Sequence, residues 1–241
     1  MTKPKMLLFD YGQTLVAEAP FDGVKGTAAV MRHAVRNKYG KTPEEVQAYA
    51  DKLNQEIGRF DPGKRHLFQY EMPNRMFSRF LYESQGIEID LSPEECDTVF
   101  WDAAAPGKPT EGIREFLSFL RENQIRTAVL SNISYSGKAV ERRIRECIPD
   151  HEFEFLIATS EYLYRKPNRH IFELALEKAE LRSEEVWYVG DQYRCDVEGA
   201  KGAGLFPIWY IGSIDLKYEP ADDVMTIKSW QELKKYMQNE A

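Results

Sequence analysis

Short apolar runs punctuate the chain, each cut off by polar or glycine-bearing residues. Met6–Phe9 stops at Asp10 and a turn-like stretch at Gly12, and Ile125–Leu130, Phe155–Ala158, Val186–Val189 and Leu205–Tyr210 follow. Runs of this length bounded by turn formers predict buried strands, and Asp223–Met225 is a candidate further edge strand. Between them the apolar period changes. Ile113, Phe116, Leu117 and Leu120 fall at i, i+3, i+4 and i+7, and Phe172, Ala175, Leu176 and Ala179 repeat the spacing. Each set lines one face of a helix. A helix is also predicted over Tyr193–Ala203, with Gly204 to end it, and Trp230, Leu233 and Met237 predict a closing one. Strands alternating with helices imply an α/β fold: a Rossmann-like, mostly parallel sheet with helices on both faces.

The stretch from Ala17 to Lys108 carries helix signals and no readable strand. Thr42-Pro43-Glu44-Glu45 and Ser92-Pro93-Glu94-Glu95 are capping boxes with proline at the first helical position. Val46, Tyr49, Ala50, Leu53 and Ile57 then share a face, and two more helices are expected over Val24–Tyr39 and Met72–Ser84. The expected organisation is a core of residues 1–16 and 109–241, interrupted after its first strand by a helical cap of residues 17–108. An insert of roughly ninety residues is long enough to be a subdomain.

Bulk properties narrow the function. Hydrophobic residues at 43% and charged residues at 29% suit a globular chain with a real core. A net charge of -7 argues against a broad nucleic-acid surface. Cys96, Cys147 and Cys195 form no CxxC pair, which favours a reducing, cytoplasmic setting. No run has the length of a membrane span or of a signal-peptide core. The four histidines show no ligand spacing. The basic run Lys138, Arg142, Arg143 and Arg145 is expected to be a solvated helix face. The segment Arg59–Leu81 mixes Arg59, Lys64, Arg65, Arg75 and Arg79 with Phe60, Phe68, Tyr70 and Phe77. Cap helices packing on one another are its plain reading, and contact with the organic part of a substrate is the sharper one.

In an open parallel sheet, ligands gather at the carboxyl ends of strands. Asp10-Tyr11-Gly12-Gln13-Thr14 follows the first strand, Ser131-Asn132 the second, and Gly190-Asp191 through Asp196 the fourth, while Lys166-Pro167 precedes a helix. Asp10, Asp191 and Asp196 offer hard oxygen ligands of the kind Mg²⁺ takes. Ser131 and Lys166 can hold and neutralise phosphoryl oxygens, and a carboxylate beside a cation and a phosphoryl group can attack it.

The segments FDYGQTL, VLSN, RKP and YVGDQYRCD, in that order, resemble the four motifs of the haloacid dehalogenase superfamily. The likeness is to its phosphatase-like branch, with a helical cap inserted after the first strand, and it covers essentially the whole chain. The resemblance implies a Mg²⁺-dependent phosphatase or phosphotransferase acting on a small phosphorylated molecule. Asp10 would be nucleophile and metal ligand, with the Gly12 carbonyl, Asp191 and Asp196 completing the metal site. Ser131 and Asn132 would hold the phosphoryl group, and Lys166 would offset its charge.

One position departs from that branch. The residue two after the nucleophile is there an aspartate, which protonates the leaving oxygen and later activates water; here it is Gly12. Gln13 has no useful titration, and Glu18 or Glu71 is a candidate substitute. An acyl or aryl phosphate, whose leaving group needs little protonation, would suit such a site. The alternatives are a non-catalytic relative that binds a phospholigand, or a carbon-centred hydrolase of the dehalogenase or phosphonate-cleaving type. Asp191 and Asp196 count against a metal-free dehalogenase. Lys52 is the conceivable imine-forming lysine of the phosphonate-cleaving type.

Overall fold

The computed structural model describes residues 3–59, 70–215 and 224–239. In chain order the elements are β1 (Met6–Phe9), β2 (Val16–Glu18), α1 (Gly23–Met31), β3 (Ala34–Asn37), α2 (Pro43–Glu56), α3 (Asn74–Ser84), β4 (Ile87–Ile89), α4 (Pro93–Ala104) and β5 (Gly107–Pro109). There follow α5 (Ile113–Glu122), β6 (Arg126–Ser131), α6 (Gly137–Cys147), β7 (Leu156–Ala158), α7 (Arg169–Ala179) and β8 (Val186–Gly190). A π-helical turn (Tyr193–Glu198), α8 (Gly199–Gly202), β9 (Phe206–Tyr210), β10 (Met225–Ile227) and α9 (Trp230–Asn239) complete the chain.

Six strands form one sheet in the order β10-β9-β8-β1-β6-β7, every pair parallel. The pleat sends alternate residues to opposite faces. Leu7, Phe9, Val129, Trp187 and Val189 join Phe116, Leu120 and Trp230 on one side. Met6, Leu8, Ala128, Leu130 and Tyr188 join Ile171, Phe172 and Ala175 on the other. Both faces are therefore covered, which is why these strands read as unbroken apolar runs rather than as alternation. Each fully buried Leu or Phe here stabilises the fold by about 1.5–3 kcal/mol.

The segment between β1 and β6 has its own apolar cluster, with Val30, Val46, Ala50, Leu81, Tyr82 and Ile87 at its centre. Both capping boxes form, on Thr42 with Glu45 and on Ser92 with Glu95. The expectation of helices alone is corrected here. β3 pairs antiparallel with β4, and β2 with β5. The helix predicted to run to Tyr39 stops at Met31, and Ala34–Asn37 becomes a strand. These strands span three or four residues, too few for a period of two to be read from sequence. The helix expected from Met72 starts at Asn74, with Pro73 as its extended cap. The helix expected over Tyr193–Ala203 opens as the π-helical turn and continues as α8 to Gly202, with Ala203 as its cap and Gly204, at φ +84°, just beyond. Asp223, the first residue of the predicted edge strand, lies outside the described residues, as do Phe60, Lys64, Arg65 and Phe68.

Arg143 is a second correction. It is not solvated; its side chain is 4% exposed, although Arg142 and Arg145 are open to solvent. It falls three residues after Val140 and four before Cys147, on the buried stripe of α6. Its guanidinium pairs with Asp102 at 2.7 Å and donates to the Ala105 carbonyl at 2.9 Å. It also lies over the Trp101 ring at 4.2 Å. One arginine thus ties α6 of the sheet layer to the end of α4.

Candidate active site

β1 lies between β6 and β8, so the carboxyl ends of all three open on one edge. Asp10 follows β1 directly, its N–H donating to the Val189 carbonyl at 2.8 Å. Ser131 is the last residue of β6 and Asp191 is the first beyond β8. Asp196 comes from the π-helical turn, and Lys166 from the loop before α7. All five are buried.

Lys166 is the hub. Its Nζ lies 2.7 Å from Asp10 Oδ1, 2.6 Å from Asp196 Oδ1 and 2.6 Å from the Tyr188 hydroxyl. Tyr188 donates onward to the Leu130 carbonyl at 2.8 Å, so its oxygen accepts from the ammonium. The Lys166 main chain is held as tightly: its N–H donates to Asn132 Oδ1 and its carbonyl accepts from Asn132 Nδ2, each at 2.8 Å. Asn132, expected on the phosphoryl group, thus has both polar atoms engaged in positioning Lys166. Burial alone would lower the lysine pKa, but Asp10 and Asp196 outweigh it and hold the ammonium above its ordinary range. Tyr188 had no sequence signal, because it sits inside an apolar strand run.

One ammonium faces three carboxylates. Oxygens of Asp10, Asp191 and Asp196 lie within 4.8 Å of one another. Burial raises Asp10 to about 6, with Lys166 and the Ser131 hydrogen bond pulling down and Asp196 pushing up. Burial followed by repulsion from Asp10 and Asp196 raises Asp191 to about 8. The Oδ1 of Asp191 is buried with no hydrogen-bond partner. Crowded, desolvated oxygens with an unsatisfied acceptor among them fit a divalent cation with oxygen preference. Asp196 is oriented for this by the Gln192 N–H, which donates to its Oδ2 at 2.8 Å. Gly190 makes the approach possible, since a Cβ there would run into the Asp196 carboxyl.

The pocket over these groups has a volume of about 300 Å³. Gly12 is part of its wall, and a Cβ on Gly12 would meet nothing within 4 Å. Glu18 and Glu71 also line it. Glu18 accepts from the Tyr11 hydroxyl at 3.1 Å and sits 3.5 Å from Arg143. Its pKa is raised by burial, against the pull of Arg143. Glu71 pairs with Arg165 at 3.2 Å and accepts from Thr159. Lys52 lies away from this pocket on an exposed helix face, paired with Glu56. Cys195 lines the pocket, and none of the three cysteines forms a disulfide.

The family model for haloacid dehalogenase-like hydrolases matches residues 4–204. The chain belongs to that family. It is 25% identical over 218 residues to a glyceraldehyde 3-phosphate phosphatase of Pyrococcus abyssi, covering 86% of this chain and 81% of that one. It is 27% identical over 158 residues to a pyrimidine 5'-nucleotidase of Escherichia coli, covering 65% and 69%. In fold it is similar to a 2-haloacid dehalogenase from Pseudomonas syringae pv. Tomato, with a TM-score of 0.67, 21% identity and coverage of 99% and 100%. A family member of this kind is a hydrolase of α/β fold. Among the described residues no helix is long and apolar enough to cross a membrane.

Proposed function

We propose that the chain is a Mg²⁺-dependent phosphatase that transfers the phosphoryl group of a small phosphorylated metabolite to Asp10. The observation that carries this is the Lys166 hub, which joins the Asp10 carboxylate to Asp196 beside an unsatisfied Asp191 oxygen. The named activities of the two relatives above, both on phosphomonoesters, support the substrate class. Residues 17–108 act in this reading as the cap that shapes the substrate site, and the cysteine pattern fits a cytoplasmic setting.

Asp10, the Gly12 carbonyl, Asp191 and Asp196 would hold Mg²⁺. When bound, the ion supplies charge stabilisation for the phosphoryl oxygens. A carboxylate oxygen of Asp10 forms a bond to phosphorus as the bond to the leaving oxygen breaks. Lys166 and the Ser131 hydroxyl lie against Asp10, where the one offsets charge and the other donates a hydrogen bond. Water then attacks the phosphoryl-aspartate and regenerates the carboxylate. Gly12 offers no side chain to move a proton in either step.

Incubation with acetyl phosphate and MgCl₂, followed by intact-mass measurement, tests this. A phosphoryl adduct or phosphate release that is absent from Asp10→Asn is expected. Folded protein giving neither would sink the reading. Chelator-insensitive halide release from a 2-haloacid would replace it with the dehalogenase type.

A further inference from the structure

A second, larger chamber adjoins the catalytic pocket. Its volume is about 1260 Å³, and it lies between the sheet edge and helices α2, α3 and α4. Gln13, Glu18, Arg59, Trp101, Ser134 and Tyr135 line both spaces, so the two communicate. The junction is where the leaving oxygen and the first atoms beyond it must lie.

Two aromatic rings, Trp101 and Tyr135, stand at that junction beside Gln13, Glu18, Arg59 and Ser134. Trp101 and Tyr135 stack at 4.6 Å, and the Arg143 guanidinium lies over the Trp101 ring at 4.2 Å, so the indole is held in place. Phe77 and Phe100 continue the wall inward. Among the described residues the charged groups lining this chamber are Glu18, Asp51 and Arg59, and Arg59 lies over the Phe77 ring at 5.4 Å and donates to the Met72 carbonyl at 3.3 Å. Phe77, Phe100 and Tyr135 in the chamber lining suit an uncharged ring, whose edge or face packs against theirs. The space also exceeds what a three-carbon body fills, since ordinary ligand pockets run to roughly 300–1,000 Å³.

We infer that the substrate is an aryl phosphomonoester, with its uncharged aromatic body in this chamber. The inference rests on the phosphatase reading above and names its substrate class. Two independent features meet in it. Trp101 and Tyr135 stand at the junction where a ring bonded to the leaving oxygen would sit, and the neighbouring Gly12 provides no acid. A phenolic oxygen has a pKa of about 10, far below the ~16 of water, and so leaves without a donated proton. The Asp10 oxygen bonds to phosphorus, the P–O(aryl) bond breaks, and its electron pair departs on the aryl oxygen, which takes a proton from water. A second water attacks phosphorus and frees phosphate and the Asp10 carboxylate.

The test compares kcat/KM for 1-naphthyl phosphate, 5'-AMP, glycerol phosphate and acetyl phosphate in wild type and in Ser78→Trp. Ser78 lines the chamber from α3 and does not line the catalytic pocket. The substitution should lower the naphthyl value about tenfold or more, equivalent to ~1.4 kcal/mol, and leave acetyl phosphate within about twofold. On the wild type, 1-naphthylphosphonate should inhibit acetyl phosphate hydrolysis about tenfold more tightly than methylphosphonate, a readout that needs no variant to fold. Equal inhibition by the two phosphonates, or a 5'-AMP value above that of naphthyl phosphate, overturns the aryl assignment while acetyl phosphate turnover still upholds a phosphatase. Loss of both substrates alike in a folded Ser78→Trp also overturns it. No turnover of any of the four overturns both readings.

Discussion

Substituting Gly12 with aspartate supplies the acid/base side chain that position 12 lacks. The backbone can accept the change. Gly12 is not among the glycines of positive φ, and its Cβ would enter open space. The added carboxyl would stand in the wall of the pocket that contains Asp10. General acid/base catalysis contributes roughly 10²–10⁴-fold, or about 3–5 kcal/mol of barrier at ~1.4 kcal/mol per decade. That gain belongs to substrates whose leaving oxygen needs a proton. The measurement is therefore kcat/KM, which reports steps up to departure of the leaving group, for glycerol phosphate and for acetyl phosphate at saturating MgCl₂. The alkyl value should rise by about two decades or more, and the acyl value should hardly move. Gly12→Ala supplies the Cβ without the acid and should change neither. Saturating metal matters, because a fourth carboxylate beside Asp10, Asp191 and Asp196 adds repulsion. An alkyl value that stays put in folded, metal-binding Gly12→Asp refutes the reasoning. It would mean that Glu18, Glu71 or solvent already moves the proton, or that another step limits the rate.

Two further outcomes concern the charge balance of the site. Lys166→Gln leaves Asp10 and Asp196 buried without their cation. It should cost about 3–5 kcal/mol of stability in denaturant unfolding, more at pH 8 than at pH 5, since Asp10, at about 6 with Lys166 beside it and higher without it, is protonated in the acid range and leaves no bare charge there. Magnesium should stabilise the wild type more at pH 8 than at pH 6 in thermal melts. The folded-state values of Asp10 and Asp191, about 6 and about 8, lie above those of an unfolded carboxylate. The folded chain then binds more protons, and the stability these groups lend below about pH 4 is lost as pH rises through 6 and 8. A cation replaces those protons and restores that stability. A magnesium shift that is flat or falls with pH would contradict this.

The sheet, and the meeting of the candidate site residues at one of its edges, were legible because both are coded locally. A strand buried on two faces is an apolar run, and the residue at its carboxyl end is the polar one that stops the run, as at Asp10, Ser131 and Asp191. The closing helix was equally plain from Trp230, Leu233 and Met237. What escaped was set by tertiary contact. β3 and β4 exist through pairing with each other, and Ala34–Asn37 alone carries no alternation. Tyr188 looks like any core aromatic until the fold brings Lys166 beneath its hydroxyl. Arg143 could have been found: its i+3 and i−4 relation to Val140 and Cys147 puts it on the apolar stripe of α6, so its charge had to be paired. The local charge density of its neighbours masked that spacing. Asn132 was expected on the phosphoryl group, and its two bonds to the Lys166 main chain had no local signal because they are contacts across 34 residues.

The two proton transfers of the proposed cycle are not equally affected by Gly12, and this predicts a kinetic signature. An aryl leaving group removes the need for an acid in the first step. No choice of substrate removes the need for a base in the second, because the same phosphoryl-aspartate must always be hydrolysed. With an aryl phosphate, formation at Asp10 should therefore outrun breakdown, and the intermediate should accumulate. Stopped-flow mixing with 4-nitrophenyl phosphate should show a burst of about one nitrophenolate per enzyme, then a slow linear phase, as expected for a covalent intermediate. Gly12→Asp should shrink the burst and raise kcat by speeding the second step, although kcat/KM for this substrate stays nearly constant. A linear trace without a burst, from protein that does release phosphate, would place the slow step before the phosphoryl-aspartate. It would then assign the water-activating role to a neighbour, and Glu18, half-buried in the wall shared by the two chambers with its pKa raised by burial, is the residue to replace next.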